Sequence, residues 1–225
     1  MEAKRLAAEK AVEFVEDGMI VGLGTGSTVA YAIDKLGELV KQGLKIRGIA
    51  TSTRSEKLAR ERGIDLVTFA GVNQIDLTID GADEVDPDWN LIKGGGGALL
   101  REKIVAAASK RLIIIVDESK VVQRLGQFPL PVEVVPFGYE VTMRKLTELG
   151  YNPQLRTTDG QPYITDNGNY ILDCRMGQLD KPGETHDHLN RMVGVVDNGL
   201  FIGYASQVIV GYHNGLVKEL SKRIH

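Results

Sequence analysis

Cysteine occurs once in the 225 residues and tryptophan once, and neither sign of charge dominates. The lone Cys174 excludes an internal disulfide and reads as a small buried apolar side chain. Against 30 acidic residues stand 27 basic ones, a formal net charge of −3. A duplex-binding surface or an anionic-membrane footprint rests on basic patches, so neither nucleic acid nor membrane is expected as a partner and any anion site must be local. No apolar run approaches the roughly 18 residues of a membrane span, and residues 1–10 are charged and helical in pattern rather than a signal-peptide core. The expected location is cytoplasmic. Hydrophobic residues at 43% and charged residues at 25% exclude wholesale disorder and collagen-like repetition. This length folds as one or two domains.

What is plentiful is glycine. Average usage of about 7% gives roughly 16 in a chain this long, and this one holds 26.

The order of elements comes from apolar spacing. Ala7, Ala11, Phe14 and Val15 mark a first helix stopped by Gly18, and Met19 to Leu23 reads as a buried strand. After Gly22-Leu23-Gly24-Thr25-Gly26-Ser27, the residues Val29, Ile33, Leu36 and Val40 mark a second helix. Strands follow near 45–50, 64–69, 77–79 and 90–92, with helices near 53–62 and 98–109. The run Leu112 to Val116 has no polar alternation, the mark of a strand covered on both faces. Strands alternating with helices predict an α/β fold with a doubly wound, mostly parallel, Rossmann-like sheet. Phe128-Pro129-Leu130-Pro131 cannot continue a helix and reads as a linker. Beyond it, strands at 132–137, 154–157, 170–174 and 193–201 with helices at 140–149 and 186–192 spell a smaller β-α-β-β-α-β unit. A strand at 206–210 and a helix at 217–224 could return to the first domain. The expected division is therefore 1–128 plus 204–225 for the α/β domain and 129–203 for an inserted α+β domain.

Three glycine-bearing turns carry the chemistry. In Gly22-Leu23-Gly24-Thr25-Gly26-Ser27-Thr28, converging backbone N–H groups and a helix N-terminus suit a phosphate, with hydroxyls from Thr25, Ser27 and Thr28. The dinucleotide fingerprint fails where Ser27 replaces its third glycine, and the nucleotide P-loop fails for want of Gly-Lys-Ser/Thr. The plain alternative is a tight turn with Ser27 or Thr28 as N-cap. Asp80-Gly81-Ala82-Asp83 follows an apolar strand, at the edge where open α/β sheets bind ligands. Two acids that close suit proton transfer between oxygens; the alternative is a solvated acidic loop with Glu84, Asp86 and Asp88. A magnesium or calcium loop is a further alternative, but it lacks the glycine and terminal Glu spacing of the twelve-residue calcium motif.

Lys93-Gly94-Gly95-Gly96-Gly97 is the third. Each glycine costs about 0.5–1 kcal/mol relative to alanine inside regular structure, so something needs bare backbone there. N–H groups beside an ammonium suit a developing oxyanion; a flexible linker is the alternative. Glu102 lies one turn into the next helix, with Ala98, Leu99, Val105 and Ala106 as its i±3 and i±4 neighbours. A carboxylate on an apolar stripe is either functional or paired with another element. Lys120 follows a buried strand and could be a ligand contact or an ordinary surface lysine. His186 and His188 at i, i+2 face different ways, and no metal site is expected.

A phosphate cradle, two acids, an oxyanion nest and a carboxylate base suit proton abstraction next to a carbonyl in a small sugar phosphate, with no redox cofactor. The segments 22–28, Asp-Gly-Ala-Asp-Glu at 80–84 and Ile-Lys-Gly-Gly-Gly-Gly-Ala-Leu-Leu-Arg-Glu-Lys at 92–103 closely resemble the ribose-5-phosphate isomerase type A family. Leu-Pro-Val-Glu-Val-Val-Pro-Phe at 130–137 and Thr-Asp-Asn-Gly-Asn at 165–169 resemble it too. The resemblance implies interconversion of D-ribose 5-phosphate and D-ribulose 5-phosphate without metal or cofactor, in a homodimer or homotetramer. It also implies Glu102 as the base, Asp80 as the acid for ring opening, and Asp83 and Lys93 with the Gly94, Gly95 and Gly96 amides at the enediolate oxygens. Thr25, Gly26, Ser27, Thr28, Gly81, Ala82 and Lys120, with Lys4 on the first helix, would contact the substrate or its phosphate. Two other functions fit parts of the pattern: acyl or CoA transfer through a glutamate nucleophile, and a non-catalytic sugar-phosphate sensor.

Overall fold

The computed structural model describes residues 1–222, which divide into two compact units. The first comprises Met1–Ala82, Arg101–Val121 and the chain from Tyr204 onward; the second comprises Asp83–Leu100 and Val122–Gly203. Residues 83–100 and 122–128 therefore cluster with the second unit, not with the α/β domain where the sequence reading put them. Backbone pairing explains it. The Leu91–Ile92 strand lies antiparallel between Glu84–Val85 and Leu200–Phe201, and the Val122 N–H donates to the Val85 carbonyl.

The first unit is an α/β sheet of seven strands in the order Val217–Glu219, Gln207–Gly211, Leu112–Asp117, Leu77–Asp80, Ile20–Leu23, Arg47–Ala50 and Asp65–Leu66. All neighbours are parallel except the edge pair formed by the first two. Side chains alternate across it. Val21, Leu23, Ile79, Ile113 and Ile115 bury on one face with the helices Glu2–Val12 and Ser27–Lys41, while Ile49, Ile75 and Val105 cluster separately. The unbroken apolar run at 112–116 is fully buried, as a strand covered on both faces must be. From Ile20–Leu23 the next two strands proceed to one side and Leu77–Asp80 lies on the other. The order thus switches between Ile20–Leu23 and Leu77–Asp80, and ligands bind at the carboxyl ends of such a switch point.

Within the second unit, Leu130–Val134, Tyr139–Glu148, Pro153–Leu155, Tyr170–Cys174, Pro182–Asn190 and Val195–Asn198 reproduce the β-α-β-β-α-β order. Their four strands form an antiparallel sheet in the spatial order 4-1-3-2, over a core that includes Leu146, Leu172, Cys174 and Leu189. Two expected elements differ. The strand 193–201 is two strands in different sheets, because Gly199 turns the chain between them; a Cβ there would meet the Lys93 carbonyl at 2.3 Å. The expected helix from 217 is instead the strand Val217–Glu219, returned by a turn in which the Gly215 N–H donates to the Tyr212 carbonyl. Asn214-Gly215 is a hairpin signal that overrode the helical spacing; residues 223 and 224 lie outside the described residues.

Candidate active site

In the first unit, the Ile20–Leu23 strand runs into the Gly24–Gly26 turn, and the Ser27–Lys41 helix starts there. Gly26 is the N-cap at φ 119°, so neither Ser27 nor Thr28 caps the helix as the plain alternative required. Asp80, at the carboxyl end of the neighbouring strand, is 1% exposed. Its Oδ1 accepts the N–H of Thr25 at 3.1 Å and that of Gly81 at 2.8 Å, while the Gly24 N–H donates to the Ile79 carbonyl at 3.0 Å. The acid and the glycine turn are thus one hydrogen-bonded object.

The Thr25 hydroxyl points inward. It lies 2.7 Å from Thr51 Oγ1, 2.8 Å from Ser52 Oγ and 3.4 Å from Ser55 Oγ. Ser55 donates to the Gly24 carbonyl at 2.6 Å and Thr51 to the Leu23 carbonyl at 3.1 Å. This hydroxyl cluster fixes the turn, leaving backbone N–H groups and the exposed Ser27 for a ligand. Sequence reading missed it because Thr51, Ser52 and Ser55 lie on a separate strand-to-helix turn about 27 residues away.

The remaining first-unit candidates gather at the same edge. Ser27 Oγ accepts from Lys4 Nζ at 3.1 Å, and Lys4 Nζ lies 3.9 Å from Asp117 Oδ2. Burial pushes the Asp117 carboxyl up, but hydrogen bonds from Ser119 and the charges of Lys4 and Lys120 outweigh it and hold the carboxyl below its usual range. Lys4, Asp117 and Lys120 therefore share one electrostatic neighbourhood. Gly81 and Ala82 are half-buried beside Asp80.

Glu102 sits in the first turn of the Leu99–Ala107 helix and is 4% exposed. The far end of that helix is pinned to the amino end of the sheet: the Ile75 N–H donates to the Ala108 carbonyl at 2.9 Å, and Thr78 and Ser109 hydroxyls meet at 2.7 Å. Val105 lies against Gly22, where a Cβ would come within 2.8 Å of Val105 Cγ1. A helix so anchored directs its first turn, and Glu102 with it, toward the carboxyl edge that holds Asp80.

In the second unit, Lys93 follows the Leu91–Ile92 strand and is 2% exposed, with Nζ 5.4 Å from the centre of the Phe201 ring. Its N–H donates to the Gly199 carbonyl at 2.9 Å. Asp83 Oδ2 accepts the Gly95 N–H at 2.8 Å, and Gly97 closes the turn by donating to Gly94 at 3.0 Å. Gly94 and Gly97 have φ of 103° and 79°, a region that favours glycine. A Cβ at Gly95 would fall 2.6 Å from Asp83 Oδ1. Bare backbone is thus required, and this is no flexible linker.

The acidic loop is not solvated as a whole. Glu84 is 3% exposed and accepts the N–H groups of Gly126 and Phe128, each at 2.6 Å. His186 is engaged with Asn198 and Asn190. Among the described residues no group of three or more His, Cys, Asp or Glu could hold a metal ion, and no helix is long and apolar enough to cross a membrane.

A glycine turn hydrogen-bonded to a buried acid at a topological switch point, with a buried carboxylate directed to the same edge, is the arrangement expected of an α/β enzyme that moves protons on a small anionic substrate. Residues 47–215 match the family model described as ribose 5-phosphate isomerase A (phosphoriboisomerase A). The chain belongs to that family. It is 52% identical over 214 residues to the ribose-5-phosphate isomerase A of Levilactobacillus brevis, covering 94% of each chain. With that of Gloeobacter violaceus it shares 56% over 215 residues, 95% of this chain and 94% of the relative. A solved D-ribose-5-phosphate isomerase in complex with phospho-erythronic acid superposes with a TM-score of 0.93 at 42% identity, over 97% of both chains. The enzyme of Methanocaldococcus jannaschii gives 0.92 at 43%, over 97% of this chain and 98% of that one. The acyl-transfer and sensor readings find no support in these relatives.

Proposed function

We propose that the protein interconverts D-ribose 5-phosphate and D-ribulose 5-phosphate through an enediolate. Asp80 assists opening of the furanose ring. Glu102 takes the C2 proton of the open-chain aldehyde as a carboxylate and returns it to C1, while the O2 hydroxyl proton passes to O1 by way of Asp83. Lys93 and the glycine amides hold the charge that develops on the two oxygens. The turn at 24–28, with Lys4 and Lys120, holds the phosphate. The observation that carries the reading is the buried Asp80 tied to the Thr25 amide at 3.1 Å, at the edge toward which the Glu102 helix points.

The test is formation of ribulose 5-phosphate from ribose 5-phosphate by wild type and Glu102→Gln. A folded Glu102→Gln enzyme should lose about 10²–10⁴-fold in kcat, the range of a general base. Near wild-type rates would remove Glu102 from the role. The reading calls for no metal or cofactor, so dialysis against a chelator leaves turnover unchanged; loss restored by a divalent ion would contradict it. Two or four copies assemble, a state supported by the exposed Phe137 and Val193 at 95% and 84%, on segments joined by the Val135 to Gly194 hydrogen bond. Light scattering in solution measures the mass.

A further inference from the structure

We propose that Arg156 is a positioning residue for this reaction, setting the peptide planes of the Lys93–Gly97 turn; the inference rests on the reading of that turn as the enediolate site. Arg156 follows the Pro153–Leu155 strand of the second unit. Its Nε and Nη2 donate to the two oxygens of Asp173 at 2.9 and 2.6 Å, and its Nη1 donates to the carbonyls of Gly94 at 2.9 Å and Gly95 at 3.2 Å. The Arg156 side chain is 15% exposed and that of Asp173 25%. Asp173 thus fixes one side of a planar fork, and the fork fixes two successive carbonyls.

A trans peptide points its N–H opposite its C=O. Pinning the Gly94 carbonyl aims the Gly95 N–H away from Arg156, where it meets Asp83 Oδ2 at 2.8 Å. Pinning the Gly95 carbonyl aims the Gly96 N–H away in turn, at an exposed residue where a substrate oxygen can receive it. Arg156 never touches substrate in this account. It converts a four-glycine segment, the most adaptable backbone in the chain, into a preorganised donor, and it orients Asp83 through Gly95. Preorganised donors act on developing charge more than on the ground state, so the effect belongs in kcat.

The test compares Arg156→Met, Arg156→Lys and Asp173→Asn with Lys93→Ala and wild type. Readouts are kcat, KM, thermal melting, and affinities for inorganic phosphate and for phospho-erythronic acid, whose planar carboxylate imitates the enediolate. Arg156→Met should lose about 10²-fold in kcat, the scale of a small misplacement of reacting groups. Its KM and phosphate affinity should stay within about threefold while phospho-erythronic acid weakens in step with kcat. Arg156→Lys should rescue only part, and Asp173→Asn should lose roughly tenfold in kcat even if Arg156→Met does not fold. Unchanged kcat, or phosphate affinity falling in parallel with kcat, overturns the inference. Full turnover by Lys93→Ala would overturn the underlying reading and the inference with it; full turnover by Arg156→Met beside an impaired Lys93→Ala overturns the inference alone.

Discussion

Gly24 and Asp80 are packed so closely that a Cβ on Gly24 would lie 2.2 Å from Asp80 Oδ1 and 2.7 Å from its Cα. The glycine therefore does more than relax a turn: it lets the acid sit against the backbone proposed to hold the phosphate. Gly24→Ala should displace the Asp80 carboxylate and break its bond from the Thr25 amide. Overpacking of this kind costs about 1–3 kcal/mol, which the fold can survive, while misplaced groups cost about 10²-fold in kcat. Thermal melting with steady-state kinetics checks it: a folded variant with normal kcat would show that Asp80 need not hold this position.

Glycine strings were legible because they are local: Gly24 to Gly26 and Gly94 to Gly97 each occupy one strand-to-helix connection, and their cost in regular structure is visible in one dimension. The switch of strand order at Ile20–Leu23 was not, since periodicity identifies strands without saying which neighbours pair. Nor was the hydroxyl cluster around Thr25, or Arg156 near Gly94, since these contacts span about 27 and 62 residues of chain. Helical spacing misled at Val217, where apolar positions at i, i+3 and i+7 suited a helix but a strand edge was waiting at Ile209 to Gly211.

Ser55 gives a prediction from the cluster. Its hydroxyl donates to the Gly24 carbonyl at 2.6 Å and accepts from Ser52 at 3.0 Å in a buried setting. Ser55→Ala deprives that carbonyl of the Ser55 donor, a loss of about 1–3 kcal/mol. At about 2–4 °C per kcal/mol for a chain of this size, Tm should fall by roughly 2–12 °C. Because the cluster holds the turn proposed to bind the phosphate, KM should rise before kcat falls. An unchanged Tm would show that the carbonyl finds another donor.

Glu133 carries a pH prediction. It lies at 0% exposure on the central Leu130–Val134 strand, where Oε1 accepts from Thr165 Oγ1 and Asn169 Nδ2, each at 2.9 Å, and Oε2 has no hydrogen bond among the described residues. Burial raises its carboxyl above the ordinary 4.5, and the nearby Asp197 adds to the rise, against the lowering effect of the Asn169 and Thr165 hydrogen bonds. The folded state then holds the proton more tightly than the unfolded chain. The resulting stabilisation is present below about pH 4.5 and is lost as pH rises through the folded value. Glu133→Gln removes the titration. Urea midpoints for wild type should therefore gain on the variant as pH is lowered from 7 toward 4.5; a gap that stays constant or moves the other way would refute the assignment.

Cys174 offers the simplest test of the second unit's core. The thiol is fully buried on the Tyr170–Cys174 strand, and burial, with a smaller contribution from Asp173, pushes its pKa up to about 12. Thiolate is the reactive form, so at pH 8 almost none is present, and the sulfur is also shielded from reagent. Iodoacetamide should leave the native enzyme unlabelled and fully active for hours, then label one site per chain once urea unfolds the second unit. Mass spectrometry of intact protein across a urea series reads this directly. The onset of labelling should coincide with loss of the antiparallel sheet's circular-dichroism signal, because Cys174 pairs with Leu130 on one side and Pro153 on the other. Labelling well before that transition would mean that this sheet opens locally, and that the strand leading to Arg156 is less rigid than its hydrogen bonds imply.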